Sequence, residues 1–174
     1  MKRVKYIAGL AILLIFVFFL TGALNKSIEF EQNIIIKRSS KKVYFALINP
    51  VRMGEWIQGF EKVEALDGFL FGPGSRYIIT FRVGNRKVEV FEEVTEFLWK
   101  EELGLKLCFK HITVNTNIQV ENTDSGTCLL VKNEVTSAGI IWRSLIPFLK
   151  PGIKKHFDQN FINLKEMLEA PLEK

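Results

Sequence analysis

The sequence has few of the residues from which most active sites and metal centres are built. It contains only two histidines, His111 and His156, and neither has a partner at metal-ligand spacing. It has no catalytic-triad signature, no phosphate-binding loop and no dinucleotide fingerprint. We therefore expect no metal site and no cofactor, and the sequence offers no motif for nucleophilic catalysis.

Cysteine is also scarce, and Cys108 and Cys128 are predicted to remain free thiols. The segments on either side of the turn NTDSG alternate apolar and polar residues, which is typical of a hairpin. If Glu121 faces Gly126 in this hairpin, the two cysteines lie about 36 Å apart along the strand. A disulfide requires Cα atoms within about 7 Å, so this register excludes one.

The excess of basic over acidic residues is small outside the amino terminus. The net charge is +5 and the pI is about 9.2, but three of the positive charges belong to Lys2, Arg3 and Lys5. The basic clusters at 37–42 and 150–155 are not interleaved with the aromatic residues that a base-stacking platform needs. We predict solvated faces and no nucleic-acid partner, and contact of one cluster with anionic lipid stays open.

Charged residues are missing from residues 6–24, a run of nineteen residues that would form about 28 Å of helix. This length matches the roughly 30 Å hydrocarbon core of a bilayer and predicts a retained single-pass anchor. The small residues TGA at 21–23 leave a cleaved signal peptide, and so a secreted domain, as the alternative. We take 1–25 as the anchor or signal segment and 26–174 as the folded domain, which the amino-terminal basic residues place outside the cytoplasm.

The rest of the chain is predicted to have an α+β fold: a strand at 28–36, two short helices, about six antiparallel strands and one long helix. Ser40 and the Asn49–Pro50 pair are the expected helix caps, and Gly54 is the expected end of the second helix. The remaining predicted elements are strands at 60–66, 75–83, 86–97, 98–103, 107–121 and 127–136, and a helix at 139–169 kinked or broken at Pro147 and Pro151.

The chain contains the segments IIIKRSSKKVYFALINPVRMGEW, VFEEVTEF and NFINLKEMLE. These resemble the START-like (SRPBCC) superfamily, which includes polyketide cyclases and dehydrases and the birch-pollen allergen proteins, over residues 28–169. The resemblance implies a helix-grip fold, in which a curved antiparallel sheet of six to seven strands wraps the long helix and leaves a cavity for an apolar ligand. The glycine-rich loop at 68–74 and the two prolines would lie where that cavity opens.

One hairpin provides the main polar candidates. Pairing across the turn Gly84–Asn85 places Tyr77 opposite Glu92 on one face. If that face is concave, Glu92 lies beside the Tyr77 hydroxyl in apolar surroundings and provides a polar handle for a ligand. The alternative is a bulge at 91–93 that turns Glu92 toward water.

The inward-facing rows of the strands and the apolar stripe of the long helix complete the predicted cavity lining. Asn133, expected opposite Val114, interrupts one row and is either satisfied by its neighbours or used for ligand. From the residues alone a buried Trp56 belongs to the core, whereas the family resemblance places it beside the cavity. The full set of predicted ligand-binding residues is Trp56, Tyr77, Ile79, Phe81, Val90, Glu92, Val114, Thr116, Val131, Asn133, Trp142, Phe157 and Phe161.

Three functions are consistent with these features. The first is a membrane-anchored domain that binds or carries an apolar small molecule or lipid. The second is an enzyme of cyclase or dehydratase type that uses Tyr77 and Glu92 as its acid-base pair. The third is a structural or interaction domain with a solid core. The sequence specifies neither the ligand nor the oligomeric state.

Overall fold

The computed structural model describes residues 2–66 and 71–171. After an amino-terminal helix, the elements follow in the predicted order of strand, short helices, antiparallel strands and long helix. They are α1 (Lys2–Leu24), β1 (Ser27–Ile36), α2 (Ser40–Ile48), α3 (Pro50–Trp56), β2 (Phe60–Ala65), β3 (Arg76–Val83), β4 (Arg86–Leu98), β5 (Glu102–Phe109), β6 (Ile112–Thr123), β7 (Gly126–Ser137) and α4 (Ile140–Glu169).

The strands form one seven-stranded sheet in the order β1-β7-β6-β5-β4-β3-β2. Every neighbouring pair is antiparallel. Such a sheet buries one face against another layer, and the layer here is the 30-residue helix α4. The predicted α+β helix-grip architecture is therefore confirmed.

Two apolar clusters fix α4 to the sheet at different points along the helix. The larger cluster joins Phe161 of α4 to Val131 of β7 and Tyr44 of α2. The smaller cluster joins Ile146, near the start of α4, to Val135 of β7. Each fully buried apolar side chain stabilises the fold by about 1.5–3 kcal/mol. The helix is thus held firmly toward both of its ends.

The register of the β3–β4 hairpin is as predicted, and Tyr77 pairs with Glu92. The alternative of a bulge at 91–93 is wrong, because the irregularity of β4 lies between Val94 and Glu96. Glu92 is buried and keeps its place on the face that α4 covers.

The predicted register of the β6–β7 hairpin is wrong by two residues. Glu121 pairs with Cys128, where the prediction placed Gly126. The cause is the turn, which consists of residues 124–125 alone. A shift of two residues leaves every side chain on its predicted face, so the alternation of the sequence cannot detect it.

The corrected register changes the surroundings of two predicted features. Asn133 lies opposite Thr116, where the prediction placed it opposite Val114. Cys108 lies on β5 and Cys128 on β7, two strands apart in the sheet, and both are free thiols.

The predicted strands at 98–103 and 107–121 are wrong. The chain turns at 99–101 and again at 110–111, so that β5 lies between two turns. At each turn a lysine has a positive φ, 65° at Lys100 and 51° at Lys110. A positive φ usually marks glycine or asparagine, so the composition of these turns did not reveal them.

The helix ends follow the predictions in part. Asn49 caps α3 as expected, because its side chain accepts a hydrogen bond from the Val51 N–H at 3.0 Å. Ser39 rather than Ser40 is the N-cap of α2, and α3 continues past Gly54. The expected end at Gly54 is wrong because glycine only weakens a helix, at about 1 kcal/mol relative to alanine.

Pro147 and Pro151 lie inside one continuous helix, so of the kink or break that was predicted, the break is wrong and the kink stays a prediction. A proline inside a helix costs roughly 3 kcal/mol because it removes a hydrogen bond and crowds the preceding turn. Ile146 packs on one side of this stretch and Phe161 on the other, and burial of each stabilises the helix by about 1.5–3 kcal/mol, which offsets this cost.

Residues Lys5–Leu24 of α1 are long and apolar enough to cross a membrane, and they are almost entirely exposed. A signal sequence at this position has the same properties. The carboxy-terminal end of α1 contacts α4, and Gly22 is buried there. A Cβ at position 22 would lie 2.8 Å from the Ile140 carbonyl oxygen and 2.7 Å from the Ser144 backbone nitrogen. Only glycine allows the two helices to approach so closely.

Replacing Gly126 with alanine is expected to destabilise the protein. Gly126 begins β7 with a φ of 141°, and a Cβ there would collide with the carbonyl oxygen of Ile36 on β1. We expect the free energy of unfolding to fall by roughly 1–3 kcal/mol. Urea unfolding of the full chain in detergent micelles measures this change.

Gly72 is the matched control, because it has open space around it and no positive φ. Gly72→Ala should change the free energy of unfolding by less than about 0.5 kcal/mol. Equal losses in the two variants would contradict the role given to Gly126.

Candidate functional site

A cavity of about 640 Å³ lies between the sheet and the middle of α4. It occupies the gap between the two clusters that fix the helix, and residues of both clusters line it. The volume is within the range of small-molecule sites, about 300–1,000 Å³. The walls consist mainly of inward apolar residues of β3–β7, with Trp56 of α3 and with Ile153, Phe157 and Phe161 of α4.

Glu92 is the one carboxylate among the described residues that line this cavity. It is 5% exposed, and its Cα partners are Tyr77 on β3 and Leu107 on β5. Within residues 2–66 and 71–171 its carboxyl group has no hydrogen-bond partner. Burial raises the pKa of Glu92 from 4.5 to about 7, because removal from water disfavours the charged form.

Further polar side chains line the cavity, and two of them are Thr116 and Trp56. Thr116 donates a hydrogen bond to Oδ1 of Asn133 at 2.8 Å. Trp56 lines the cavity, and its indole N–H is buried without an acceptor in the described part of the chain. An unpaired buried donor costs about 1–3 kcal/mol, which a bound acceptor would recover. The Glu92 carboxyl and the Trp56 N–H are therefore the groups best placed to bind the polar end of a ligand.

The structure brings nine of the thirteen predicted residues to the cavity wall. They are Trp56, Ile79, Phe81, Val90, Glu92, Val114, Thr116, Phe157 and Phe161. That these nine bind a ligand remains a prediction.

The other four predicted residues lie elsewhere. Val131 belongs to the solid core, and Asn133 contacts Thr116 without lining the cavity. Tyr77 packs on Phe71, with ring centroids 5.9 Å apart. Trp142 lies on the first turn of α4, before the helix reaches the cavity, and stacks on His111 at 5.7 Å. Residues 68–70 of the glycine-rich loop, which was predicted to lie beside the cavity opening, are outside the described residues.

Sequence analysis missed the contribution of β5. Leu105, Leu107 and Phe109 all line the cavity, and the pattern LGLKLCF carries the alternation of an inward-facing row. This alternation is visible in the sequence. It was overlooked because the predicted strand at 107–121 combined the end of β5 with β6. Asn160 was also missed; it lines the cavity, and its Oδ1 accepts a hydrogen bond from the Gln58 N–H at 3.0 Å.

Tyr77 and Glu92 do not form the acid-base pair considered for an enzyme. Their Cα atoms are paired across the strands, but only Glu92 lines the cavity. Within the described ranges no hydrogen bond joins the two side chains.

No family model and no curated protein matches the sequence. Solved structures do match, although their sequences are distant. Ara h 8.0201 is 15% identical, with a TM-score of 0.70 over 82% of this chain and 97% of its own. A protein of Chromobacterium violaceum is 15% identical, with a TM-score of 0.67 over 83% of this chain and 99% of its own. The Zhui aromatase/cyclase of a Streptomyces species is 11% identical, with a TM-score of 0.66 over 82% of this chain and 94% of its own.

These likenesses concern the fold. They agree with the helix-grip architecture, in which a sheet packs against one long carboxy-terminal helix. Because such folds support many functions, the function has to be argued from the cavity itself.

A larger side chain that projects into the cavity is expected to destabilise the protein less than a larger side chain in the packed core. Val114 and Val131 both point toward α4 from neighbouring strands, but only Val114 lines the cavity. Val131→Phe should lower the free energy of unfolding by about 1–3 kcal/mol, because a packed core has no room for the ring. Val114→Phe should cost less than about 1 kcal/mol. Comparable losses would indicate a solid interior and contradict the cavity.

The burial of Glu92 predicts a dependence of stability on pH. The folded pKa of about 7 exceeds the ordinary value of 4.5, so the folded protein binds the proton more tightly than the unfolded chain. The stabilisation is fully present below about pH 4.5 and is lost as the pH rises to about 7. Glu92→Gln should remove this dependence and be more stable than the wild type at pH 8, by roughly 3 kcal/mol.

Glu89→Gln is the control for this experiment, because Glu89 lies on the same strand but is exposed. It should retain the wild-type difference in unfolding free energy between pH 5 and pH 8. A Glu92→Gln variant with the same pH profile as the wild type would refute the burial of an ionisable group at this position.

Proposed function

We propose that the protein binds or carries an apolar small molecule or lipid in the cavity beneath α4. The observation that carries this proposal is the cavity of about 640 Å³, which is lined mainly by apolar side chains of the sheet and the helix. A cavity of this size contains far more space than the small voids of a packed core. An apolar ligand would restore the contacts that the lining side chains lack.

The polar groups narrow the class of ligand. The Trp56 N–H is a fully buried donor of the lining without a partner among the described residues. The carboxyl group of Glu92 is buried in the same lining, and burial alone shifts its pKa. Both act as donors when Glu92 is protonated. The preferred ligand is therefore mainly apolar and carries one group that accepts hydrogen bonds, such as a carbonyl or a hydroxyl.

We further propose that residues 6–24 are a retained membrane anchor and that the domain lies outside the cytoplasm. The packing of Gly22 against Ser144 and Ile140 supports retention. This contact gives the small residue at position 22 a role in helix packing. Small residues have the same role where membrane helices pack together. The alternative of a cleaved signal peptide would remove this contact.

Catalysis is the second candidate. A carboxyl group with a pKa near 7 in an apolar cavity is suited to general acid or base chemistry at neutral pH. The likeness to an aromatase/cyclase in fold is consistent with this role. Glu92 would have to act without Tyr77, which does not line the cavity.

Ligand retention tests the proposal. The full chain is purified from its own host in mild detergent, and the bound molecules are extracted and identified by mass spectrometry. The wild type should retain an apolar compound that is depleted at least severalfold in the double variant Val90→Phe/Val114→Phe. Val51→Phe, at an exposed position of α3 outside the cavity lining, is the control for lipids that adhere to the surface.

The outcomes separate the candidate functions. An identical set of bound molecules in all three proteins would exclude ligand binding in the cavity. Chemical conversion of the retained compound by the wild type, abolished in Glu92→Gln, would establish the enzyme.

A further inference from the structure

The membrane anchor and one end of the cavity lie at the same end of the sheet. The register of the strands brings together at this end the start of β1, the β3–β4 turn, the β5–β6 turn and the end of β7. Val83, Gly84, Phe109 and Ile112 from these turns line the cavity. The first turn of α4 is held at the same place, where Trp142 stacks on His111. We call this the α1 end of the sheet.

The link between α1 and the sheet is too short to let the two separate. α1 ends at Leu24 and β1 begins at Ser27, so at most about 11 Å lies between these Cα atoms. The contact of Gly22 with Ser144 adds a second attachment. If α1 spans a bilayer, the α1 end of the sheet must therefore lie at the membrane surface.

An exposed apolar face of α4 lies beside this attachment. Ile141 and Phe148 are seven residues apart, as are Trp142 and Leu149, so all four lie on one side of the helix. They remain exposed, Phe148 to 67% and Trp142 to 37%. Tryptophan is typical of the interface between lipid and water. Single exposed apolar residues are ordinary, but a continuous face next to a membrane helix indicates contact with lipid.

The charges at the α1 end favour a lipid surface that is anionic. Segments 24–27, 83–87, 109–112 and 137–143 contain five basic residues and no acidic one. One of the five, Lys87, pairs with Glu61 of β2 at 3.1 Å. Lys26, Arg86, Lys110 and Arg143 form no ion pair within the part of the chain that the structure describes. Basic residues at such a position are attracted to anionic headgroups.

We propose that the α1 end of the sheet and the exposed face of α4 dock on the phospholipid bilayer in which α1 is embedded, so that this end of the cavity faces the membrane. The inference rests on the anchor of the proposed function. Its consequence is that an apolar ligand passes between bilayer and cavity at the β3–β4 and β5–β6 turns, without crossing bulk water.

Quenching by brominated lipids tests the docking on the full chain. The chain contains three tryptophans, and their positions differ in a useful way: Trp142 lies on the docking face, Trp99 is 46% exposed at the opposite end of the sheet, and Trp56 lines the cavity. The protein is reconstituted into vesicles of phosphatidylcholine and phosphatidylglycerol, with or without bromine on the acyl chains. An alkaline wash first establishes that it stays in the bilayer.

Trp142→Phe is expected to lose at least half of the quenching that brominated chains cause, whereas Trp99→Phe should lose almost none. The double variant Trp142→Phe/Phe148→Trp should regain it, which separates lipid contact from any disturbance of the stacking on His111. Unchanged quenching in Trp142→Phe, or no recovery in the double variant, would overturn the docking. A chain removed by the alkaline wash would overturn the anchor and the docking together.

The experiments distinguish failure of the docking proposal from failure of the ligand-binding proposal. If Trp142 is not quenched although the protein remains in the bilayer, the docking is wrong, while the anchor and the proposed ligand binding stand. Quenching that persists in a Trp99→Phe/Trp142→Phe double variant reports Trp56, and therefore brominated lipid inside the cavity.

Discussion

The cavity exists because α4 is fixed to the sheet at two separated points. Phe161 and Leu164 pack into the larger core near the carboxy-terminal end of the helix, and Ile146 packs into the smaller one near its start. Between them the helix cannot approach the sheet more closely without displacing one of the clusters. A core held in this way is rigid where it is packed and hollow where it is not, since packed side chains resist deformation. Every functional feature described for the interior lies in that interval.

Glu92 shows how the sheet places one polar group in this apolar space. From β3 to β1, a single row of Cα partners consists of Tyr77, Glu92, Leu107, Val114, Val135 and Ile28. Five of the six are apolar or aromatic, so the carboxyl group loses water without gaining a charged partner. A stability optimum alone would favour an apolar residue at this position, because an unsatisfied carboxyl group is costly. Such exceptions to apolar packing are common at functional sites.

The sequence was sufficient for the architecture and for the β3–β4 hairpin, because Gly84–Asn85 is a strong turn signal and the flanking strands alternate clearly. It was insufficient where turns use ordinary residues. Lys100 and Lys110 adopt positive φ because the strands on both sides determine their conformation, and no local pattern reveals that. The β6–β7 register failed for another reason: a shift of two residues preserves the face of every side chain. Only the length of the turn distinguishes the two registers.

The candidate site was predictable to the extent that it depends on alternation. Inward residues of β3, β4 and β6 were placed correctly, whereas Trp142 and Val131 were not, because the hydrophobic pattern does not separate a packed position from a cavity wall or from an exposed apolar face. That distinction depends on the spacing between layers. It is a property of the assembled fold and has no counterpart in any single segment.

The two prolines of α4 have a mechanical consequence. Pro147 and Pro151 have no N–H, so the carbonyl groups of Arg143 and Pro147 lack their usual rung in the helical ladder. This weakened stretch comes directly before Ile153 and Phe157, two residues of α4 that line the cavity. Bending α4 here would break fewer hydrogen bonds than bending it elsewhere, because two are already absent. A bend at this point would change the distance between the sheet and the part of the helix that lines the cavity.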